Sequence, residues 1–323
     1  MKIATLTLNP CIDKTLYVSD AFQTGSLNRA SSSVCCAGGK GINVSRLQKK
    51  LGAETEVFGF SGGAVGEMLQ EYLQSEQIFG SFTKTACETR MCIKIIDDFG
   101  ECTEINEGGG PIREDEWNTL LSQLSDFRRE CEGEDGILVC AGSIPRGLSK
   151  SAYSEVCQML LGSRVRVVLD ADGDALRHGL EGRPWLIKPN IHELTAYFGK
   201  RIACEDTRSL AEYAASAGKE IFQSFGTRVI CTMGGAGAVY VSGEDAIFVN
   251  APKVLLRSFA GAGDTFLSAF LYAHFMENQV DEDAMRFASA AAAAKVAGEA
   301  SSLPEKEDIV RYLDMVHAVR LHP

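Results

Sequence analysis

The run GAGDTF, residues 261–266, concentrates more chemistry than any other stretch of the chain. Gly261, Ala262 and Gly263 lead into Asp264, and Phe266, Leu267, Phe270, Leu271 and Phe275 follow at helical spacing. Glycines allow unusual backbone turns and let a ligand come close. A helix starting just after them aims free N–H groups and its positive dipole end at that ligand. Such a terminus holds an anion, most readily a phosphate. A carboxylate there repels the phosphate, unless its task is to take a proton from a hydroxyl attacking the phosphorus. A plain helix cap is the competing role, which Asp fills often. On these six residues alone both roles stand.

Other polar clusters have the same double character. Asp13, after Asn9-Pro10-Cys11-Ile12, can accept hydrogen bonds from sugar hydroxyls or cap a turn. Gly38-Gly39-Lys40-Gly41-Ile42-Asn43 opens a helix without Walker spacing; Lys40 and Asn43 either meet a polar ligand or follow a tight turn. Arg90 offers a planar fork that suits phosphate, or is a solvated strand-edge residue. Ser143 and Arg146 lie in a loop, Ala141–Gly147, that shapes a substrate or merely turns. Lys188, Asn190 and Glu193 stand at a strand end. Asn190 and Glu193 fit a hydrated magnesium ion or a reciprocal helix cap. Thr232, Gly234 and Gly237 can cradle nucleotide phosphates or open a hairpin into Ala238–Val241. Asp170, Asp172, Asp174 and Glu181 imitate a calcium loop, but Ala175 stands where the sharp turn needs glycine. Calcium is therefore not expected.

These groups need a scaffold. Apolar runs at Ile3–Leu8, Val57–Phe60, Ile137–Cys140, Val165–Leu169, Leu186–Lys188 and Val229–Met233 predict strands buried on both faces. Helical patterns over Ile42–Leu51, Val65–Ser75, Glu114–Glu130, Ala152–Leu161, Arg208–Phe225, Asp264–Glu277 and Asp281–Gly298 alternate with them. The result is an α/β fold with a mainly parallel central sheet covered on both faces. In such sheets ligands bind at the carboxyl ends of the strands, where Gly142, Asp170, Asn190, Gly234 and the Gly261 loop should lie. Ile12–Val18 and Met91–Ile105 alternate without helices between them, with a turn at Asp97–Gly100. They predict a small β-sheet standing off the body as a lid, a dimer surface, or both. The core is expected over residues 1–10, 31–86 and 107–323, and the small sheet over 11–30 and 87–106.

The net charge of −11 and pI near 5.1 exclude a nucleic-acid binder, which needs a basic face. Any anionic ligand must be met by a few placed cations, which favours small phosphorylated molecules. The eleven cysteines are scattered, with no CxxC pair for zinc, and read as reduced core residues in a reducing cytoplasm. No secretory leader and no membrane-spanning run is expected, and Ala288–Ala297 reads as a helix packed through small side chains.

In order, TLTLNPCIDKTLYV, GGKGIN, TR, INEGG, GSIPRG, IKPNIHEL and GAGDTF resemble the ribokinase-like sugar kinases of phosphofructokinase B type. The likeness runs from residue 5 to about 298. The LTLNPxID opening and Asn28-Arg29-Ala30 are most similar to the 1-phosphofructokinase and tagatose-6-phosphate kinase branch. It implies a three-layer αβα core with a β-sheet lid, often shared across a homodimer. It implies ATP and Mg2+ as cofactors and a ketohexose monophosphate as substrate, most simply fructose 1-phosphate. Tagatose 6-phosphate is the alternative, and a non-catalytic sugar-phosphate or nucleotide sensor is a further one.

The resemblance also assigns residues. Asp264 matches the base, and Gly261, Ala262 and Gly263 the anion hole. Asp13, Gly39, Lys40 and Asn43 match positions around the sugar. Arg90, helped by Arg29, Ser143 and Arg146, matches contacts to the phosphate already on the substrate, with Lys40 beside Arg90. Lys188, Asn190, Thr232, Gly234 and Gly237 match the nucleotide region, and Glu193 a magnesium ligand through water. LDADGDAL, TMGGAG and SFAGAGDTF depart from the usual family wording without removing a charged catalytic group.

Overall fold

In the computed structural model, which describes residues 1–200, 206–257, 260–299 and 302–321, the chain leaves the main sheet at once. β1 (Lys2–Thr7) runs into β2 (Cys11–Val18) and β3 (Ala30–Gly38) before α1 (Lys40–Lys50) begins. β4 (Thr55–Ser61), α2 (Gly63–Ser75) and β5 (Phe79–Lys84) return to the body, and β6 (Arg90–Ile96) and β7 (Cys102–Asn106) leave it again. Alternation then becomes regular through α3 (Glu114–Glu130), β8 (Gly136–Ala141), α4 (Ala152–Leu160), β9 (Val165–Asp170) and α5 (Gly173–Glu181). It continues through β10 (Leu186–Ile187), α6 (Ile191–Tyr197), α7 (Thr207–Phe225) and β11 (Arg228–Thr232). The last part holds β12 (Ala238–Ser242), β13 (Asp245–Val249), α8 (Ala262–Leu271), α9 (Asp281–Ala297), α10 (Lys306–Leu313) and β14 (Ala318–Leu321).

The main sheet has the order β14-β13-β12-β11-β10-β9-β8-β1-β4-β5. From β5 to β11 every neighbour is parallel, and β12, β13 and β14 add antiparallel strands at one edge. Alternation inside one strand shows how the layers arise. Leu138 and Cys140 of β8 enter one core, with Leu120 of α3, Tyr153 of α4 and Ala214 of α7. Ile137 and Val139 enter the other, with Leu47 of α1, Phe270 of α8, Ala288 of α9 and Ile309 of α10. Successive side chains of a strand point to opposite faces, so a fully apolar strand demands a helix layer on each side. The three-layer expectation is met.

The second sheet has four strands in the order β3-β2-β6-β7, with β2 and β6 parallel. Residues 31–38, expected in the core, form most of β3 in this sheet. Their sequence, SSSVCCAG, has no apolar alternation, and β2 supplies their pairing partner. Ile12 and Ala37 pack on Ile42, Val57, Leu69 and Leu73, which anchors the base of this sheet. Its far end is open: β7 is exposed throughout.

Two more differences bear on the site. The helix expected over Asp264–Glu277 ends at Leu271 and widens into a π-helical turn over Tyr272–Met276, where His274 stacks on Phe270. Six of the ten buried residues of α9 are alanines, and the helix lies against α8, as the small residues predict. Among the described residues no helix is long and apolar enough to cross a membrane.

Candidate active site

α8 starts at the carboxyl edge of the main sheet, and its start is shaped by one glycine. Gly261 is the N-cap residue with φ +75°, a conformation that favours glycine, and no side chain caps the helix. Asp264 sits in the first turn but is not the cap. Its Oδ2 accepts a hydrogen bond of 2.8 Å from Asn43 Nδ2, across from α1. The carboxylate is buried. Burial first, and then the charge of Asp170, raises its pKa above the ordinary carboxylate range, against the Asn43 hydrogen bond and the Lys188 and Lys40 charges. A carboxylate with a raised pKa is a better proton acceptor. Ser258 and Phe259, at the head of the SFAGAGDTF run, lie outside the described residues.

Beside it stands a group that no motif marks as functional. Asp170, at the end of β9, has no solvent exposure. Its Oδ1 meets Lys40 Nζ and its Oδ2 meets Lys188 Nζ, each at 3.0 Å. Burial would push the Asp170 carboxyl up, but Lys188 and Lys40 outweigh it and hold it low. Lys40 is held charged in the same way: burial pulls its pKa down, and Asp170, Asp264 and Glu193 carry it above the usual value. Two carboxylates and two ammonium groups thus sit together with no formal net charge. Lys188 Nζ reaches the start of α8, since a Cβ on Gly263 would lie 3.2 Å from it. In the sequence Asp170 shows as an acid at the end of an apolar strand, where the fold places ligands, and as the first acid of the calcium-like pattern set aside above.

Lys40 is therefore not beside Arg90, as the resemblance implies. It is the first residue of α1 and faces Asp170, at the end of the site that holds Asp264. Arg90 is elsewhere, at the root of β6. Its Nε and Nη2 donate to the Asn9 carbonyl and its Nη1 to the Glu107 carbonyl. Arg146 Nη2 donates to Gly109 O, and Asn9 Nδ2 donates to Ser143 Oγ. The structure so brings Arg90, Ser143 and Arg146 together around the 107–110 loop, with Asn9 as an unpredicted linker. Arg29 is exposed in the loop between β2 and β3, on the small sheet.

Asn190 and Glu193 form the reciprocal cap of α6. Glu193 N donates to Asn190 Oδ1 at 2.9 Å, and Asn190 N donates to Glu193 Oε2 at 2.8 Å. The structural role weighed for this pair is thus present, while Glu193 still faces Lys40 closely enough to raise its pKa. Thr232, Gly234 and Gly237 line a cavity of about 450 Å³ with Ala262, Gly263 and Phe266 at one side and Pro252, Ala292 and Val296 at the other. The hairpin weighed for this stretch is also real, since β11 pairs with β12 from Val229 to Thr232. Gly237 is required there: its φ is +113°, and a Cβ would meet Val249 O at 2.0 Å.

On the other side of the α8 start, a small cavity joins the two sheets. Asp13, Thr15 and Lys94 of the small sheet face Asn43, Gly261 and Lys295 across it. Gly39 is the N-cap of α1, with φ +117°, and a Cβ on it would meet Thr7. Lys295 is buried in α9 beside Gly261. Burial, with the Lys94 and Arg46 charges, draws its pKa down to about 8, against Cys36 and Asp264. A lone lysine in an alanine-rich helix was the signal for it.

Comparison with known proteins gives the family. A model of the pfkB family carbohydrate kinases matches residues 6–308. The chain is 37% identical over 269 residues to a 1-phosphofructokinase of Bacillus subtilis, covering 83% of this chain and 84% of the relative. It is 31% identical over 290 residues to a tagatose-6-phosphate kinase of Staphylococcus epidermidis, covering 89% and 90%. The crystal structure of phosphofructokinase-2 from Escherichia coli is similar to it with a TM-score of 0.87 at 28% identity, covering 97% of this chain and 98% of that one.

Proposed function

The chain belongs to the pfkB family of carbohydrate kinases, and from that premise we propose that it transfers the γ-phosphoryl group of ATP to the 6-hydroxyl of fructose 1-phosphate. One observation carries the reading: a buried acid, Asp264, stands in the first turn of a helix capped by glycine, near the buried Lys188 and the half-buried Lys40 that flank Asp170. Asp264 takes the proton of the attacking hydroxyl while Asn43 holds the carboxylate in place. The N–H groups of Gly261, Ala262 and Gly263 and the Lys188 ammonium stabilise charge on the transferred phosphoryl oxygens. Lys40 joins them from Asp170, so its contact is with the transferred group and not with the far phosphate.

Asp13 and Asn43 border the sugar in the cavity between the sheets, with Lys94 and Lys295 as added cations, and Gly39 starts the helix that carries Asn43. Arg90, Ser143 and Arg146 form the wall for the phosphate already on the sugar, and Arg29 closes over it from the small sheet. Thr232, Gly234 and Gly237 line the nucleotide site, whose apolar wall suits the adenine ring, and Asn190 adjoins it through its bridge to Thr232. Magnesium fits this site only through its own waters. Glu193 Oε2 and Asn190 Oδ1 are committed to the α6 cap, and Asp170 to two lysines, so Glu193 is left to hold a hydrated ion by its other oxygen. When bound, magnesium neutralises charge on the nucleotide phosphates.

We place the enzyme in a reducing cytoplasm, because the ten described cysteines are all free thiols. We also propose a homodimer through the small sheet, whose outer end exposes Leu27 and Phe99 and whose edge strand β7 exposes Ile105. The substrate is tested by steady-state kinetics with ATP and a panel of sugar phosphates. Fructose 1-phosphate should give the highest kcat/KM. A clear preference for tagatose 6-phosphate, the substrate in the name of one relative, would replace it; binding without turnover of any sugar phosphate would replace catalysis by sensing.

A further inference from the structure

The face of the small sheet that looks into the site carries more sulfur than a sugar pocket needs. β2 and β6 are in register, so that Asp13 lies beside Cys92 and Cys11 beside Arg90. The thiols of Cys11 and Cys92 and a carboxylate oxygen of Asp13 all lie within 4.8 Å of one another. Both cysteines are buried. The geometry points to a binding site for a thiophilic divalent cation, zinc above all, held by Cys11 Sγ, Cys92 Sγ and Asp13 Oδ1 at the root of the lid.

Three observations support the site. The first is spacing. Arms of about 2.3 Å to sulfur and about 2.1 Å to oxygen, at a tetrahedral angle, put those two atoms about 3.6 Å apart. Cys11 Sγ and Asp13 Oδ1 are 3.6 Å apart. The second is close packing. Gly38 pairs with Cys11 from the other side, and a Cβ on it would stand 2.7 Å from Asp13 Cγ and 2.9 Å from Cys11 Sγ. Only a residue without a side chain lets these two ligands lie side by side against β3. The third is charge. Two thiolates, one carboxylate and a divalent cation carry a net charge of −1, and Lys94 Nζ, 3.6 Å from Asp13 Oδ2, neutralises it. Lys94 approaches one carboxylate oxygen and Cys11 the other, so cation and ammonium need not compete for one atom.

Binding releases the two thiol protons to solvent and makes two metal–sulfur bonds and one metal–oxygen bond, with no change of oxidation state. Three protein ligands leave the fourth position for water. The site goes beyond phosphoryl transfer, since sulfur ligands do not select magnesium. One consequence rests on the sugar role proposed for Asp13: a bound zinc ion takes that carboxylate away from the substrate and inhibits in competition with the sugar phosphate.

The test uses the full-length, reduced, metal-free protein titrated with Co2+ and then Zn2+. One equivalent of Co2+ should produce a thiolate-to-cobalt absorption in the near ultraviolet, and Zn2+ should abolish it. Cys11→Ala and Cys92→Ala should each lose the absorption while keeping the circular dichroism of the parent. As a check that needs no variant, Zn2+ should protect Cys11 and Cys92 of the parent from alkylation, read by peptide mass. The proposal is overturned if the parent shows no thiolate absorption, if both variants retain it, or if neither cysteine is protected. Absorption and protection without any rise in the KM of the sugar phosphate would uphold the metal site and remove Asp13 from sugar binding.

Discussion

Asp264, in the role proposed for it, serves chemistry at the expense of the fold. Its pKa is raised in the folded state by burial and by Asp170. The folded chain therefore holds this proton more tightly than the unfolded chain. The stability it gives is complete below the ordinary carboxylate pKa and is lost as pH rises through the raised value. At neutral pH the ionised carboxylate is a net cost. Asp264→Asn should thus raise Tm at pH 7 while lowering kcat by at least about a hundredfold, the scale of a general base. In the parent enzyme the acid limb of kcat/KM should fall above the usual carboxylate range. Calorimetry with a pH–rate profile checks both, and near-normal turnover of the variant would remove Asp264 from the role. Asp170 teaches the reverse lesson about legibility. GAGDTF announces Asp264 because its glycines have no purpose in a plain helix, whereas Asp170 is defined by Lys40 and Lys188, 130 and 18 positions away, and only the folded sheet edge brings them together.

At the scale of elements, strands with two buried faces were legible because each is a short, continuous apolar run, as in β8 and β9. Helices with one broad apolar stripe were legible too, and α3 has the predicted bounds, Glu114–Glu130. What was not legible depends on partners. β3 is mostly exposed and polar, and exists because β2 pairs with it along its length. α6 has seven residues, too few for periodicity, and its visible sign was the Asn190–Glu193 cap. α10 buries only Ile309. The β11–β12 turn shows the same dependence in its consequences. The two readings of its glycines are compatible, because the hairpin that needs Gly237 also lines the cavity proposed for the nucleotide. Gly237→Ala combines a positive φ with a clash against the backbone of β13. It should cost about 1–3 kcal/mol of stability. The shifted turn should raise the KM for ATP several-fold and leave that of the sugar phosphate nearly unchanged. Thermal melts and the two KM values decide it; equal effects on both substrates would mean that the turn acts through global unfolding.

At the scale of the molecule, the two sheets divide the work. In the proposed reading the large sheet carries the phosphoryl-transfer end; the small one carries Asp13 and Lys94 on the neighbouring strands β2 and β6. An isolated four-stranded sheet with a bare end needs a partner for its apolar residues. That end is built as one unit. Asp98 Oδ2 accepts from Asp20 N, and Asp97 Oδ2 accepts from Phe22 N, which ties the loop after β2 to the turn between β6 and β7. Leu27 and Phe99, each 75% exposed, project from these two joined segments. Beside them an open hollow of about 450 Å³ is lined by Leu16, Val18, Phe22 and Ile95. A second copy offering the same residues would cover both surfaces, as a two-fold contact requires. Leu27 and Phe99 changed together to Asp should convert a dimer into a monomer, measured by light scattering after gel filtration. The freed lid should then raise the KM for the sugar phosphate more than that for ATP, because only the sugar side of the site is borne by the small sheet. A parent protein that is monomeric at assay concentration, or a variant that remains dimeric, would place the interface elsewhere and leave the exposed leucine and phenylalanine without this role.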